Sequence, residues 1–284
     1  MRLYRLLFAL LIVFSAAGTG RAVAIEVAVS IAPVHSLITA VMEGVAVPSL
    51  IVKGGASPHD YALRPSDATR LSRADVVFWI GPDLELFLSK PLASLADKAH
   101  VVTLSRYAGS GKHDSHIWLD PLIARDIVQT ATTVLTRLDP ANAGRYTANG
   151  AHMAQRLDAL DRELGMALAP VSALPYVVFH EAYTHFEQRY GLNRVAAITV
   201  NPQQRPGAKR IAGIREVIKT TGAGCLFTEP QFAPTLAATI IEGTEVRRGT
   251  LDPLGVGLTP GADAYFAIMR GLTASLRNCL LALD

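Results

Sequence analysis

Apolar and polar positions alternate between two regimes along this chain. Short apolar runs over 26–31, 47–53, 75–80 and 100–104 are bounded by Gly, Pro, Ser and Asp, and they read as strands. Helical spacing follows the first of them through Val34 to Glu43 and the third through Leu84 to Leu95, while Pro65, Ser66 and Asp67 open a short helix after the second. The run Asp75 to Ile80 is apolar enough to be buried on both faces. Strands alternating with helices at this spacing imply right-handed crossovers and a parallel sheet, with ligands bound beyond the carboxyl ends of the strands.

The middle of the chain is helical. Pro121 starts a helix to about Leu138, Asp139-Pro140 breaks it, and a longer one runs from Ala141 to about Ala169. Its apolar stripe is Tyr146, Met153, Leu157, Leu160, Leu164 and Leu168, and Arg156, Asp158, Asp161, Arg162 and Glu163 form a solvated opposite side. At 1.5 Å per residue this helix extends about 40 Å, enough to reach from one lobe to another. The alternation then resumes. Strands are expected over 176–179, 195–200, 224–228 and 246–251, helices over 209–221, 235–242 and 262–281. The expected division is a first α/β lobe over 25–138, a linking helix over 139–172 and a second α/β lobe over 173–284.

Residues 1–24 stand apart. Arg2 and Arg5 precede the apolar run Leu6 to Ala17, and Ala22-Val23-Ala24 ends the segment, which reads as a secretory signal cleaved after Ala24. The alternative is a membrane anchor, for which the apolar run is short. The whole sequence carries 27 Lys and Arg against 24 Asp and Glu. Three of the Arg lie in the signal, which has no acid, so the mature chain is formally neutral and gives no electrostatic footprint for nucleic acid. With half of the residues apolar and 18% charged, it is a packed globular protein. Cys225 and Cys279, in an oxidising compartment, suit a disulfide that closes a long loop and stabilises by about 3–5 kcal/mol. The alternative, a pair of cysteine metal ligands, lacks a C-x-x-C spacing.

Four donors fall in equivalent places. His59, His116, His180 and Asp252 each sit at or just past the carboxyl end of an expected strand, two in each lobe. Three imidazoles and a carboxylate suit a tetrahedral, borderline-soft ion such as zinc. Glu181 and Glu229 are candidates to orient a ligand imidazole. Among the other histidines, His35 reads as a packing residue and His100 and His152 as surface or structural, while a second, weak ion at His113 is the less favoured alternative for that residue. His185 lies five residues after His180, so His180 to His185 is not the H-E-x-x-H pattern, whose histidines are four apart and share a helix face.

The segments Pro58-His59-Asp60-Tyr61 through Arg64-Pro65-Ser66-Asp67, His116 to Pro121 (HIWLDP), Phe179 to Tyr183 (FHEAY), Phe227 to Phe232 (FTEPQF) and Leu251 to Gly255 (LDPLG) occur in this order. Together they make the mature chain resemble the metal-binding solute receptors of ABC importers, in particular the zinc branch of the ZnuA type. The resemblance implies two four-stranded parallel α/β lobes joined by a rigid backbone helix, with one metal between them. It implies His59, His116 and His180 as ligands, with Asp252 at the family's carboxylate position, and a disulfide matching Cys225 and Cys279. The manganese branch is similar but has Glu where His180 stands, so the imidazole favours zinc. The implied protein is a periplasmic monomer of a Gram-negative bacterium that delivers Zn(2+) to an inner-membrane permease and its ATPase. It is not membrane-spanning after signal cleavage, has no nucleic-acid partner and catalyses nothing. A manganese or iron receptor is the near alternative. A secreted zinc hydrolase with Glu181 as base is the remote one. Two departures from the family stand out. The stretch before His116 is reduced to Gly109 to Ser115, without a long His-rich loop, and Pro58 replaces the Glu that precedes the first ligand in some relatives.

Overall fold

The computed structural model describes residues 25–108, 114–200, 202, 204, 206–232 and 235–282. The signal segment and His113 lie outside the described residues. The first sheet is built from β1 (Val27–Val29), β2 (Ser49–Leu50), β3 (Val76–Trp79) and β4 (His100–Thr103), all parallel, in the order β2-β1-β3-β4. The second is built from β5 (Tyr176–His180), β6 (Arg194–Thr199), β7 (Cys225–Thr228) and β8 (Arg247–Thr250), also parallel, in the order β6-β5-β7-β8. The two orders are the same path drawn twice. In each, the chain reverses direction across the sheet beside its first strand, which opens a crevice at the carboxyl ends.

The helices are α1 (Ala32–Val41), α2 (Pro65–Arg73), α3 (Leu86–Leu95), α4 (Pro121–Leu138), α5 (Ala143–Leu168), α6 (Thr184–Tyr190), α7 (Ala208–Thr221), α8 (Thr235–Ile241) and α9 (Ala264–Leu280). Asp120 caps α4 by accepting the Leu122 N–H at 2.8 Å, and Pro121 follows at the first helical position, where its missing N–H costs nothing. Helix α6 was not anticipated from the sequence, because its seven residues are too short to display a helical period. Its first residue, Thr184, and its stop, Gly191 at φ 63°, bracket it.

The stripe expected on α5 is buried in full, from Tyr146 to Leu168. The opposite side is less free than a solvated face. Asp158 pairs with Arg125 of α4, Asp161 with Arg189 of α6, and Glu163 with Arg270 of α9. Arg156 reaches Asp263 ahead of α9 and lies over the Phe266 ring. Helix α9, which the sequence reading assigned to the second lobe, packs against α1 and α5 as well as β8. The Tyr265 N–H donates to Ser36 Oγ at 2.9 Å, fixing α9 to α1.

One apolar core therefore runs from the first sheet through α1, α4, α5 and α9 to the inner face of the second sheet, where Tyr176, Val178, Cys225 and Phe227 point inward. Val177, Phe179 and Leu226, one residue out of phase, point outward into a second core with Ile214 and Ile218 of α7. The Cys225–Cys279 disulfide ties α9 to β7. No helix among the described residues is long and apolar enough to cross a membrane.

Helices α4 and α5 approach closely where Gly150 faces Thr132, and a Cβ at Gly150 would run into Thr132 Oγ1, which is held by its bond to the Val128 carbonyl. Gly144, on the same helix, has open space instead. Gly150→Ala is expected to cost about 1–3 kcal/mol by overpacking, less the part returned by helix propensity. Gly144→Ala is expected to be neutral or stabilising by up to about 1 kcal/mol. Urea unfolding of the two variants checks the opposite signs.

Candidate metal centre

Two loops and one strand end deliver the three histidines. After β2 the chain turns through Gly54 and Gly55, both at positive φ (71° and 76°). A Cβ on Gly55 would clash with Val256 of the opposite lobe, so the glycine allows the two loops to touch. Ser57 Oγ accepts the His59 N–H at 3.2 Å, and the Tyr61 hydroxyl donates to Asp67 at the start of α2 at 2.9 Å, so the loop carrying His59 is held at both ends. His116 precedes a tight helical turn, Ile117–Leu119, whose Trp118 is fully buried. Trp118 Nε1 donates to the Pro253 carbonyl across the cleft at 2.8 Å, and the Tyr265 hydroxyl donates to the Trp118 carbonyl at 2.7 Å. His180 is the last residue of β5.

These three histidines converge, one ring nitrogen from each lying within 4.8 Å of the other two. Their ring centroids are separated by 5.4 Å (His59–His116), 5.0 Å (His59–His180) and 4.8 Å (His116–His180). They share a small cavity closed by Pro58, Gln231, Phe232 and Leu254. Tetrahedral zinc with Zn–N bonds of about 2.0–2.1 Å sets its nitrogens about 3.4 Å apart, so the widest pair needs to draw in by about 1.4 Å at most.

The far nitrogens are spoken for. His180 Nδ1 lies 3.0 Å from Glu229 Oε1. His116 Nδ1 lies 2.5 Å from Asp114 Oδ1, which also accepts the His116 backbone N–H at 2.9 Å. A carboxylate offers only lone pairs, so each pair fixes the proton on Nδ1 and leaves Nε2 as a donor atom for a cation. His180 Nε2 is buried without a hydrogen-bond partner among the described residues, as a ligand nitrogen would be.

Asp114 is the functional residue that sequence reasoning missed. Its signal was a carboxylate two residues ahead of His116, the spacing at which an Asp closes a side-chain turn onto the backbone. It also reaches the second lobe. Asp114 Oδ2 accepts the Thr184 N–H at 2.9 Å, and its carbonyl accepts from His185 Nε2 at 2.8 Å. Burial alone raises the Asp114 pKa, but the His116 ring and the hydrogen bonds from His116 and Thr184 outweigh it and hold the carboxyl well below the usual range. Burial pushes the His59 imidazole down to about 3, with the neighbouring His116 and His180 adding to the effect.

Asp252, expected as the fourth donor, stands apart from the three imidazoles. Its Oδ1 accepts the N–H groups of Leu254 and Gly255 and the amide of Gln231, and its Oδ2 accepts the Val256 N–H at 2.5 Å. Four donors already occupy the carboxylate that would have to turn to the ion. Glu181 lies 3.4 Å from Arg194 of β6. His35 is a packing residue, bonded to the Pro48 carbonyl at 2.9 Å, while His100 accepts from Arg137 at the surface and His152 is exposed. His185 faces Asp114 and is not one of the three converging histidines.

Two parallel α/β sheets with a histidine cluster between them define the class of two-lobed, metal-binding solute receptors. A family model described as "Zinc-uptake complex component A periplasmic" matches residues 27–279, and the chain belongs to that family, ZnuA. It is 39% identical to the high-affinity zinc uptake system protein ZnuA of Brucella abortus, covering 89% of this chain and 91% of that protein. The Paracoccus denitrificans protein of the same name is 34% identical over 94% of this chain and 95% of its own length. A crystal structure of a ZnuA superimposes with a TM-score of 0.79 at 25% identity, covering 89% of this chain and 99% of that one. A family of solute-binding components of this kind is not enzymatic.

In the metal-free protein the His59 ring is expected to stay neutral from pH 7 down to about pH 4, where an unperturbed imidazole titrates near 6.5. Nitrogen-15 chemical shifts of the ring, followed through that range, check this directly.

Proposed function

We propose that this chain captures Zn(2+) between its two lobes in the periplasm of a Gram-negative bacterium, after loss of residues 1–24, and delivers it as a monomer to an inner-membrane ABC permease driven by its ATPase. The observation that carries the reading is the convergence of His59, His116 and His180 with one ring nitrogen each turned to a common point. Those three imidazoles are the proposed ligands. Asp114 and Glu229 hold two of the rings from behind. Three neutral nitrogens with no carboxylate among the converging donors suit a borderline-soft ion better than Mn(2+), which favours carboxylate and water.

Division into lobes 25–138 and 173–284 about a linking segment 139–172 belongs to the same proposal, with α9 returning to brace α1 and α5. The core shared between the lobes opposes a wide hinge. Release then needs only a small displacement of one ligand-bearing loop, and the bonds from Asp114 to Thr184 and His185 make His116 the ligand most directly coupled to movement of the second lobe.

Metal-free protein titrated with Zn(2+) against a chelator tests the assignment. His116→Ala is expected to lower affinity by orders of magnitude, and an unchanged affinity removes it from the site. Asp114→Ala is expected to cost about 10–100-fold, the usual loss when the partner of a ligand imidazole is removed. In competition, Mn(2+) is expected not to displace Zn(2+) at comparable concentration; displacement would make this a manganese receptor.

A further inference from the structure

The three imidazoles leave one corner of a tetrahedral ion open, and the carboxylate expected there is occupied elsewhere. We propose that Gln231 serves that corner: its side-chain oxygen accepts a hydrogen bond from the water that completes the metal's shell. The inference rests on the reading of His59, His116 and His180 as ligands.

Gln231 lines the same small cavity as the three histidines. Its Nε2 lies 3.1 Å from Asp252 Oδ1. Because a carboxylate can only accept, the amide nitrogen must be the end on Asp252 and the oxygen the free end. That oxygen is buried and has no hydrogen-bond partner among the described residues. It shares this state with His180 Nε2 in the same cavity. A buried acceptor without a donor marks a place where a water or an ion belongs. A lone-pair nitrogen and a lone-pair oxygen cannot satisfy each other. A metal satisfies the nitrogen, and a water on that metal, made a strong donor by the ion's charge, satisfies the oxygen.

Asp252 then acts one step away from the ion. Turning it inward would strip acceptors from the N–H groups of Leu254, Gly255 and Val256 and release Gln231. Left in place, it holds the amide in one orientation. Gln231 is in this sense a positioning and specificity residue. It presents a neutral oxygen where a carboxylate would recruit a hard cation.

Two titrations of metal-free protein test the proposal, one with Zn(2+) against a chelator and one with Co(2+), whose visible absorption reports coordination number. Gln231→Leu removes the acceptor at similar volume. It is expected to weaken Zn(2+) binding about 10–100-fold and to change the Co(2+) spectrum, with the thermal midpoint of the metal-free protein unchanged. Gln231→Glu, repelled by Asp252 and turned to the ion, is expected to narrow the Zn(2+)-over-Mn(2+) preference at least about tenfold, and it carries the test if the Leu variant does not fold. A Gln231→Leu protein with affinity within about twofold of wild type and a superimposable Co(2+) spectrum overturns the inference, as does a Gln231→Glu protein with unaltered preference. His116→Ala, measured alongside, separates the two levels. If it too leaves affinity unchanged, the ligand assignment has failed; if it abolishes binding while Gln231→Leu does not, only the role of Gln231 has.

Discussion

The site depends on keeping three imidazoles neutral and close together where water is largely excluded. Each protonated ring would repel the other two across about 5 Å, and burial withholds the solvent that would stabilise the charge. His59 shows the consequence, with its pKa pushed down to about 3. Carboxylates placed behind two of the rings, not among them, draw the protons of His116 and His180 to the far nitrogens. The near nitrogens then present only lone pairs to one another, an arrangement that a divalent cation relieves and a proton does not.

Holding that arrangement explains much of the fold. Parallel sheets of the same order place their carboxyl ends toward one crevice, and the three converging histidines follow or end β2, β4 and β5. Side chains that cross the crevice are as important as the strands. Trp118 bonds to the Pro253 carbonyl and Asp114 to the start of α6, so the loop carrying His116 is fixed to the second lobe at two points. The ion pairs along α5 hold α4, α6 and α9 against a single spine, although pairs as exposed as these contribute orientation more than stability.

Most of the sheet architecture was legible because strands buried on both faces, such as Val76–Trp79 and Tyr176–His180, appear as unbroken apolar runs between Gly, Pro and Asp. The three histidines were legible for a related reason: each follows or ends such a run, and in parallel sheets that position is the binding face. Asp114 was not, since nothing in a sequence distinguishes a surface acid before a turn from one buried at a ring nitrogen. The hydrogen bonds that hold Asp252 were not legible either, for the complementary reason. Its position after β8 is legible, whereas the turn through Pro253 to Val256, which folds the N–H groups of Leu254, Gly255 and Val256 back onto its oxygens, is revealed only by the backbone path. That helix α9 also packs on α1 and α5 was not legible, because its apolar period says that it is buried, not against which partners.

Carboxylate and metal charge can be matched without contact between them. Asp114 and Glu229 each face the cavity through an imidazole, and Asp252 faces it through the amide of Gln231. In each case a neutral, polarisable group stands between anion and site. An ion entering the cavity is therefore compensated electrostatically by the surrounding acids while bonding to neutral donors. Such a site keeps the long-range attraction that any dication would feel, yet gives the short-range bonding advantage to ions that prefer nitrogen over anionic oxygen. Discrimination then depends on the hydrogen bonds that keep the acids back, and the turn holding Asp252 is as much a part of specificity as the histidines.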